Sequence, residues 1–234
     1  MNTRFKHRSH KRLVIVEDHP LMCDALMRLI SSQIDLDCAG FADNTADARR
    51  LAGQLKPDLI ILDLRLKSGD ALDLIKTLRV EEPETNVLVL SHYDELIFAE
   101  RVLRAGASGY VMKENVAEEI LQAVRKVLAG DMYFSDRVAT QLARQTLRHK
   151  PGWSQNGVEH LSDRELQVFQ LISVGVSTRD IAQQFHLSVK TIETHRENIK
   201  SKLQLARCHR VKSIRVGLGS PKHTPINEDG HRSR

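Results

Sequence analysis

The sequence predicts an α/β domain built on five parallel strands, followed by a small all-helical domain. Three observations carry that expectation. From Arg12 to about Gly130, short β-branched apolar runs alternate with longer segments of helical period, the pattern of βα units around a parallel sheet. At Lys150–Gly157 the stretch KPGWSQNG gathers Pro, Gly, Ser and Asn, and beyond it only helical patterns recur. Charge divides along the same line: residues 13–140 hold 14 Lys and Arg against 22 Asp and Glu, whereas residues 141–234 hold 16 against 8. A chain of 234 residues suits two such domains.

The strands are expected at Leu13–Val16, Leu36–Phe41, Leu59–Leu62, Val87–Leu90 and Gly109–Met112, each a near-continuous apolar run of the kind buried on both faces of a sheet. Between them, Leu21, Ala25, Leu26, Leu29 and Ile30 form one helical stripe and Leu72, Ile75 and Leu78 another. Five strands and five helices result. A further helix is expected from about Ser135 to Arg148. The last stretch, GLGSPKHTPINEDGHRSR, lacks apolar periodicity and reads as disordered.

Composition removes several classes of function. Cys23, Cys38 and Cys208 are scattered without the spacing of a zinc site and read as reduced thiols. Met1–Arg12 is basic but precedes no long apolar segment, and no run approaches the roughly 18 apolar residues of a membrane span, so a cytoplasmic protein with no membrane partner is expected. Aromatic residues make up 4% of the chain, too few for stacking-based binding of single strands. The basic excess of the second half is what phosphate-backbone binding requires.

Parallel sheets present functional residues at the carboxyl ends of their strands. Here Glu17 and Asp18 follow Val16, Asp63 follows Leu62, Ser91 follows Leu90 and Lys113 follows Met112. Three converging carboxylates call for a cation, and hard oxygen donors suit Mg²⁺, which retains water and completes its shell with phosphate oxygens. A carboxylate in such a site can serve as a nucleophile and form an aspartyl phosphate. Lys113 supplies a point charge for a phosphoryl oxygen, Ser91 a hydroxyl donor, and Tyr110 in the fifth strand a side chain able to follow Ser91.

VIVEDHP (Val14–Pro20), IILDLRL (Ile60–Leu66), VLVLS (Val87–Ser91) and GASGYVMKE (Gly106–Glu114) resemble, in order, the motifs of response-regulator receiver domains. The resemblance implies a flavodoxin-like sheet of order 2-1-3-4-5, with Asp63 as phosphoacceptor. It further implies Mg²⁺ held by Glu17, Asp18, Asp63 and the main-chain carbonyl of Arg65, with Lys113, Ser91 and Tyr110 completing the machinery. Receivers commonly carry Pro four residues beyond the phosphoacceptor and Gly four further on; here Lys67 and Ala71 stand there, and Gly69 is the candidate to make the turn. The lifetime of the phosphoryl group therefore does not transfer from typical members.

In the second domain Leu161, Val168, Leu171 and Ile172 form an apolar stripe ended by Gly175, and Ser162 with Glu165 fits a capping box. A second helix is expected over Thr178–Phe185 and a turn over His186–Ser188, before a third helix bearing Lys190, His195, Arg196, Lys200 and Lys202. Ile181, Ala182, Leu187, Ile192, Ile199 and Leu203 supply the core of this helix-turn-helix. The stretch resembles the LuxR-type helix-turn-helix, and the EDHP start resembles that of the NarL/FixJ group, which joins these two domains. By that resemblance Glu193, Thr194 and Glu197 face bases, and Lys190, Thr191, His195 and Lys200 are the phosphate contacts.

The expected domains are therefore residues 11–130 (receiver), 131–159 (linker with helix), 160–216 (DNA-binding) and 217–234 (tail). The expected function is that of a transcription factor, not an enzyme, phosphorylated by a cognate histidine kinase. It would bind double-stranded DNA as a homodimer and engage RNA polymerase. Two other readings are a phosphotransfer relay without DNA work and a DNA-binding regulator whose receiver is not controlled by phosphorylation.

Overall fold

The computed structural model describes residues 10–66, 68–147 and 158–203. Lys67, the KPGWSQNG segment and the tail from 217 fall outside them. Five strands, β1 (Lys11–Val16), β2 (Leu36–Ala42), β3 (Leu59–Asp63), β4 (Asn86–Ser91) and β5 (Gly109–Met112), form one parallel sheet of order β2-β1-β3-β4-β5. The helices between them are α1 (Pro20–Ser31), α2 (Thr45–Leu55), α3 (Ala71–Glu81), α4 (Glu95–Ala105) and α5 (Val116–Leu128).

Alternation along each strand divides the core into two layers. Val14, Val16, Ile60, Leu62, Val87 and Val89 pack with residues of α2, α3 and α4 on one face of the sheet. Leu13, Ile15, Leu59, Ile61, Leu88 and Leu90 pack with α1 and α5 on the other. Both faces are buried, which is why the strands read as unbroken apolar runs rather than alternating ones.

Leu72, Ile75 and Leu78 of α3 are buried as expected, but the stripe read on α1 is corrected. Cys23, Leu26 and Ile30 face the core, whereas Leu21 is 86% exposed and Ala25 is also exposed. Pro20 is the first residue of α1, so Leu21 sits in an open first turn, and the buried face advances from position 23 by three and then four residues.

Gly69 makes the turn after β3, with φ at +88°. A Cβ there would lie 1.8 Å from Thr45 Oγ1. Gly69→Ala is therefore expected to lower stability by about 1–3 kcal/mol in urea unfolding, and Thr45→Ala in the same chain should relieve only the steric part.

Residues 131–147, read from sequence as the beginning of a linker, pack on the first domain. Tyr133 bridges to Gly109, donating through its N–H to Ser108 O and accepting from Tyr110 N. Helix α6 (Asp136–Leu147) lies on α4, where Gln141 Nε2 donates to Leu96 O at 2.9 Å. Ser135 Oγ donates to the buried carboxylate of Glu95 at 2.7 Å.

The second domain has α7 (Asp163–Ser173), α8 (Thr178–Gln184) and α9 (Val189–Lys202). Ser162 and Glu165 make both bonds of the capping box, and Gly175 follows α7 with φ at +88°. Ile181, Ala182, Ile192 and Ile199 are buried, with Leu187 and Leu203 packed against them. Lys202 Nζ donates to Glu165 Oε2 at 2.6 Å and ties the end of α9 to the start of α7.

Candidate functional site

Sheet register brings the acidic site together. Val16 pairs with Leu62, Asp63 with Leu90, and Ser91 with Met112, so the four strand ends lie side by side. Glu17, Asp18, Asp63, Ser91 and Lys113 meet there, and each is at most 6% exposed. Lys113 Nζ donates to Glu17 Oε2 at 2.6 Å and to Asp63 Oδ2 at 2.8 Å. Asp63 Oδ1 accepts from the main-chain N–H of Arg65 at 3.0 Å, which orients the carboxylate.

Donor atoms of Glu17, Asp18, His19 and Asp63 all lie within 4.8 Å of one another. The carboxylates are hard oxygen ligands, the donor chemistry of Mg²⁺. His19 was not singled out in the sequence. Its Nδ1 lies 2.9 Å from Glu17 Oε1 and 2.8 Å from Asp18 Oδ1. The signal was its position directly after the acidic pair.

Ser91 Oγ accepts from Tyr93 N at 3.2 Å, and the Tyr110 hydroxyl donates to Tyr93 O at 2.6 Å. The Tyr93 ring stacks on Phe98 with centroids 4.7 Å apart. Burial pushes both phenols far above the ordinary tyrosine value, so both keep their protons at neutral pH. Ser91 and Tyr110 are thus joined through the loop that carries Tyr93. Sequence reasoning missed Tyr93, which resembles an ordinary core ring until its backbone bonds are seen.

On the helical domain, Lys190, Glu193, Thr194 and Glu197 lie on exposed positions of α9. Ser188 caps this helix by accepting from Thr191 N at 3.0 Å, Thr191 and Lys200 are half-buried, and Lys200 Nζ donates to Glu197 Oε1 at 2.6 Å. His195 differs from its neighbours: it is half-buried, and its Nδ1 is shielded from solvent.

Burial and the nearby charge of Arg164 hold His195 below the usual histidine range. The unfolded ring therefore takes up its proton first, and the associated stability is present above a pH of about 6.5 and lost as pH falls toward the lowered folded value. His195→Gln is expected to flatten the pH dependence of urea unfolding over that window.

Residues 13–125 match the family described as response regulator receiver domain, and residues 159–216 match bacterial regulatory proteins of the luxR family. The chain is 34% identical over 199 residues to oxygen regulatory protein NreC of Staphylococcus haemolyticus, covering 83% of this chain and 91% of that one. It is 32% identical to response regulator GacA of Pseudomonas aeruginosa, covering 83% and 90%. A two-component response regulator of the LuxR family from Aurantimonas sp. SI85-9A1 superposes with a TM-score of 0.55 at 28% identity, covering 59% of this chain and 99% of that one. RcsB of Salmonella enterica serovar Typhimurium, solved on the promoter rprA with phosphomimetic BeF3-, shares the fold, with a TM-score of 0.56, 21% identity and coverage of 83% and 93%. The strand order, the acidic cluster at the strand ends and the helix-turn-helix agree with these matches, and the chain belongs to the two-component response regulators that join a receiver to a LuxR-type DNA-binding domain and act as transcription factors.

Proposed function

We propose that Asp63 accepts a phosphoryl group from a histidine kinase and that its occupancy controls promoter binding by a homodimer. The observation that supports this most is the bridge from the Lys113 ammonium to the carboxylates of Asp63 and Glu17. It leaves Asp63 as a buried, oriented nucleophile with a cation already beside the position of an incoming phosphoryl oxygen. Glu17, Asp18, Asp63 and the main-chain carbonyl of Arg65 would hold Mg²⁺, which neutralises charge on the transferred group. Attack by an Asp63 oxygen on phosphorus forms the acyl phosphate as the P–N bond to the kinase histidine breaks, and the imidazole leaves with a proton. Ser91 donates to a phosphoryl oxygen, and Tyr110 transmits the displacement.

The four domain bounds given above belong to the same reading. So do base recognition by Glu193, Thr194 and Glu197 and phosphate contact by Lys190, Thr191 and Lys200. His195, half-buried against α7, then acts on phosphate only from the edge of the interface. The protein works in the cytoplasm and engages RNA polymerase at its promoters. Among the described residues no helix is long and apolar enough to cross a membrane. Intact-mass measurement after incubation with phosphoramidate and Mg²⁺ is expected to show one added phosphoryl group on the wild type and none on Asp63→Asn. Equal labelling of the two would remove Asp63 from the role.

A further inference from the structure

His19 brings a nitrogen into a cluster whose other donors are oxygens, and its backbone is fixed there. It directly precedes α1, with Pro20 in the first helical position, and its carbonyl accepts from the N–H groups of Met22 and Cys23 at 3.1 and 3.0 Å. Its own N–H donates to Glu17 Oε1 at 3.1 Å. From that anchored backbone the ring reaches the acidic pair, Nδ1 standing 2.9 Å from Glu17 Oε1 and 2.8 Å from Asp18 Oδ1, while 48% of the side chain stays open to solvent.

Lys113 holds Glu17 Oε2 and Asp63 Oδ2, and the Arg65 N–H holds Asp63 Oδ1. Glu17 is thus shared, one oxygen with Lys113 and the other with His19. Two ligands bound at right angles, each about 2.1 Å from one ion, lie about 3.0 Å apart. The separations of Nδ1 from the two carboxylate oxygens match that spacing, so one ion can take Glu17, Asp18 and His19 together after a small rotation of the ring. The donor atoms of all three lie within 4.8 Å of one another and of the Asp63 carboxylate.

An imidazole nitrogen changes which ion such a site prefers. Mg²⁺ is a hard ion served by carboxylate and water oxygens, whereas Fe²⁺, Co²⁺, Ni²⁺ and Zn²⁺ bind more strongly once nitrogen joins the ligands. We propose that His19 makes this a mixed nitrogen–oxygen site that takes a borderline divalent transition cation, of the Co²⁺ and Zn²⁺ class, more tightly than Mg²⁺. The inference rests on Glu17, Asp18 and Asp63 holding a cation. Mg²⁺ binds through oxygens alone with the ring turned to solvent, and a transition cation keeps the ring as a ligand. Metal preference is therefore set by His19, and the carboxylates supply the affinity common to both classes.

The test is cation binding by the full chain, measured by isothermal titration with Mg²⁺ and with Co²⁺ for wild type, His19→Gln and Asp18→Asn. Co²⁺ that excess Mg²⁺ releases belongs to the acidic site and not to histidines elsewhere in the chain. Wild type is expected to bind that Co²⁺ about tenfold more tightly than Mg²⁺, and His19→Gln to lose about tenfold in Co²⁺ affinity while its Mg²⁺ affinity stays within about twofold. Proton NMR of the Co²⁺ form should show hyperfine-shifted imidazole signals that Mg²⁺ removes and that His19→Gln lacks. Co²⁺ and Mg²⁺ affinities that fall together in His19→Gln, or that both stay at the wild-type value, overturn the inference, as does a Co²⁺ form without those signals. Wild type that binds neither cation, or Asp18→Asn that binds both as wild type does, would instead strike at the acidic metal site itself.

Discussion

Lys113→Met is expected to lower receiver stability by about 3–5 kcal/mol in the presence of a chelator, because it leaves a buried carboxylate cluster without its internal cation. The side chains of Lys113, Glu17 and Asp63 are each 1% exposed, and the ammonium lies 2.6 and 2.8 Å from the two carboxylates. Methionine keeps most of the volume, so the loss reports charge rather than a cavity. Millimolar Mg²⁺ should return a large part of that stability, since the oxygens freed from Lys113 are those that would bind the ion. Urea unfolding with and without Mg²⁺ measures both effects. Stability unchanged by the substitution, or equally low with and without Mg²⁺, would contradict this picture of the site.

Ile192→Ala is expected to remove DNA binding while sparing phosphorylation. Ile192 is 0% exposed and joins α9 to the core of a helical domain whose described part spans only residues 158–203. Truncating a buried isoleucine costs about 2–5 kcal/mol, a large share of what so small a core provides. The helical domain should unfold in a separate, earlier transition, with loss of duplex binding, while Asp63 still takes up phosphoryl from phosphoramidate. Glu193→Ala, one residue along and exposed, should leave stability within about 0.5 kcal/mol and act on base preference alone. A single unchanged transition for Ile192→Ala would show that the two domains share one cooperative unit.

The sheet and the acidic site were legible because their determinants are local. A strand buried on both faces writes itself as an apolar run, and the residue after each run falls at the sheet's functional edge, which located Glu17, Asp18, Asp63, Ser91 and Lys113 together. The capping box at Ser162 and Glu165 was readable for the same reason, since its partners are three residues apart. Leu26, Leu29 and Ile30 of α1 face the core as expected, but its first turn was not legible, because Leu21 matches the helical period yet lies in a turn that the sheet does not cover. Tyr93 and the ion pair between Arg101 of α4 and Asp163 of α7 could not be read at all: the paired residues are separated by 62 positions, and nothing near either marks the other as its partner. Burial of Glu95 beside Ser135, 40 positions away, was hidden likewise.

Phosphorylation of Asp63 is expected to control DNA binding, and affinity for a duplex with two half-sites, before and after treatment with phosphoramidate and Mg²⁺, measures that control. Phosphorylated wild type is expected to bind more tightly than the untreated protein, with the difference vanishing for a single half-site, as dimerisation on DNA requires. Asp63→Asn should show no change on treatment. Equal affinity of phosphorylated and unphosphorylated wild type for the two-half-site duplex would contradict this control and leave a DNA-binding regulator whose receiver is not controlled by phosphorylation.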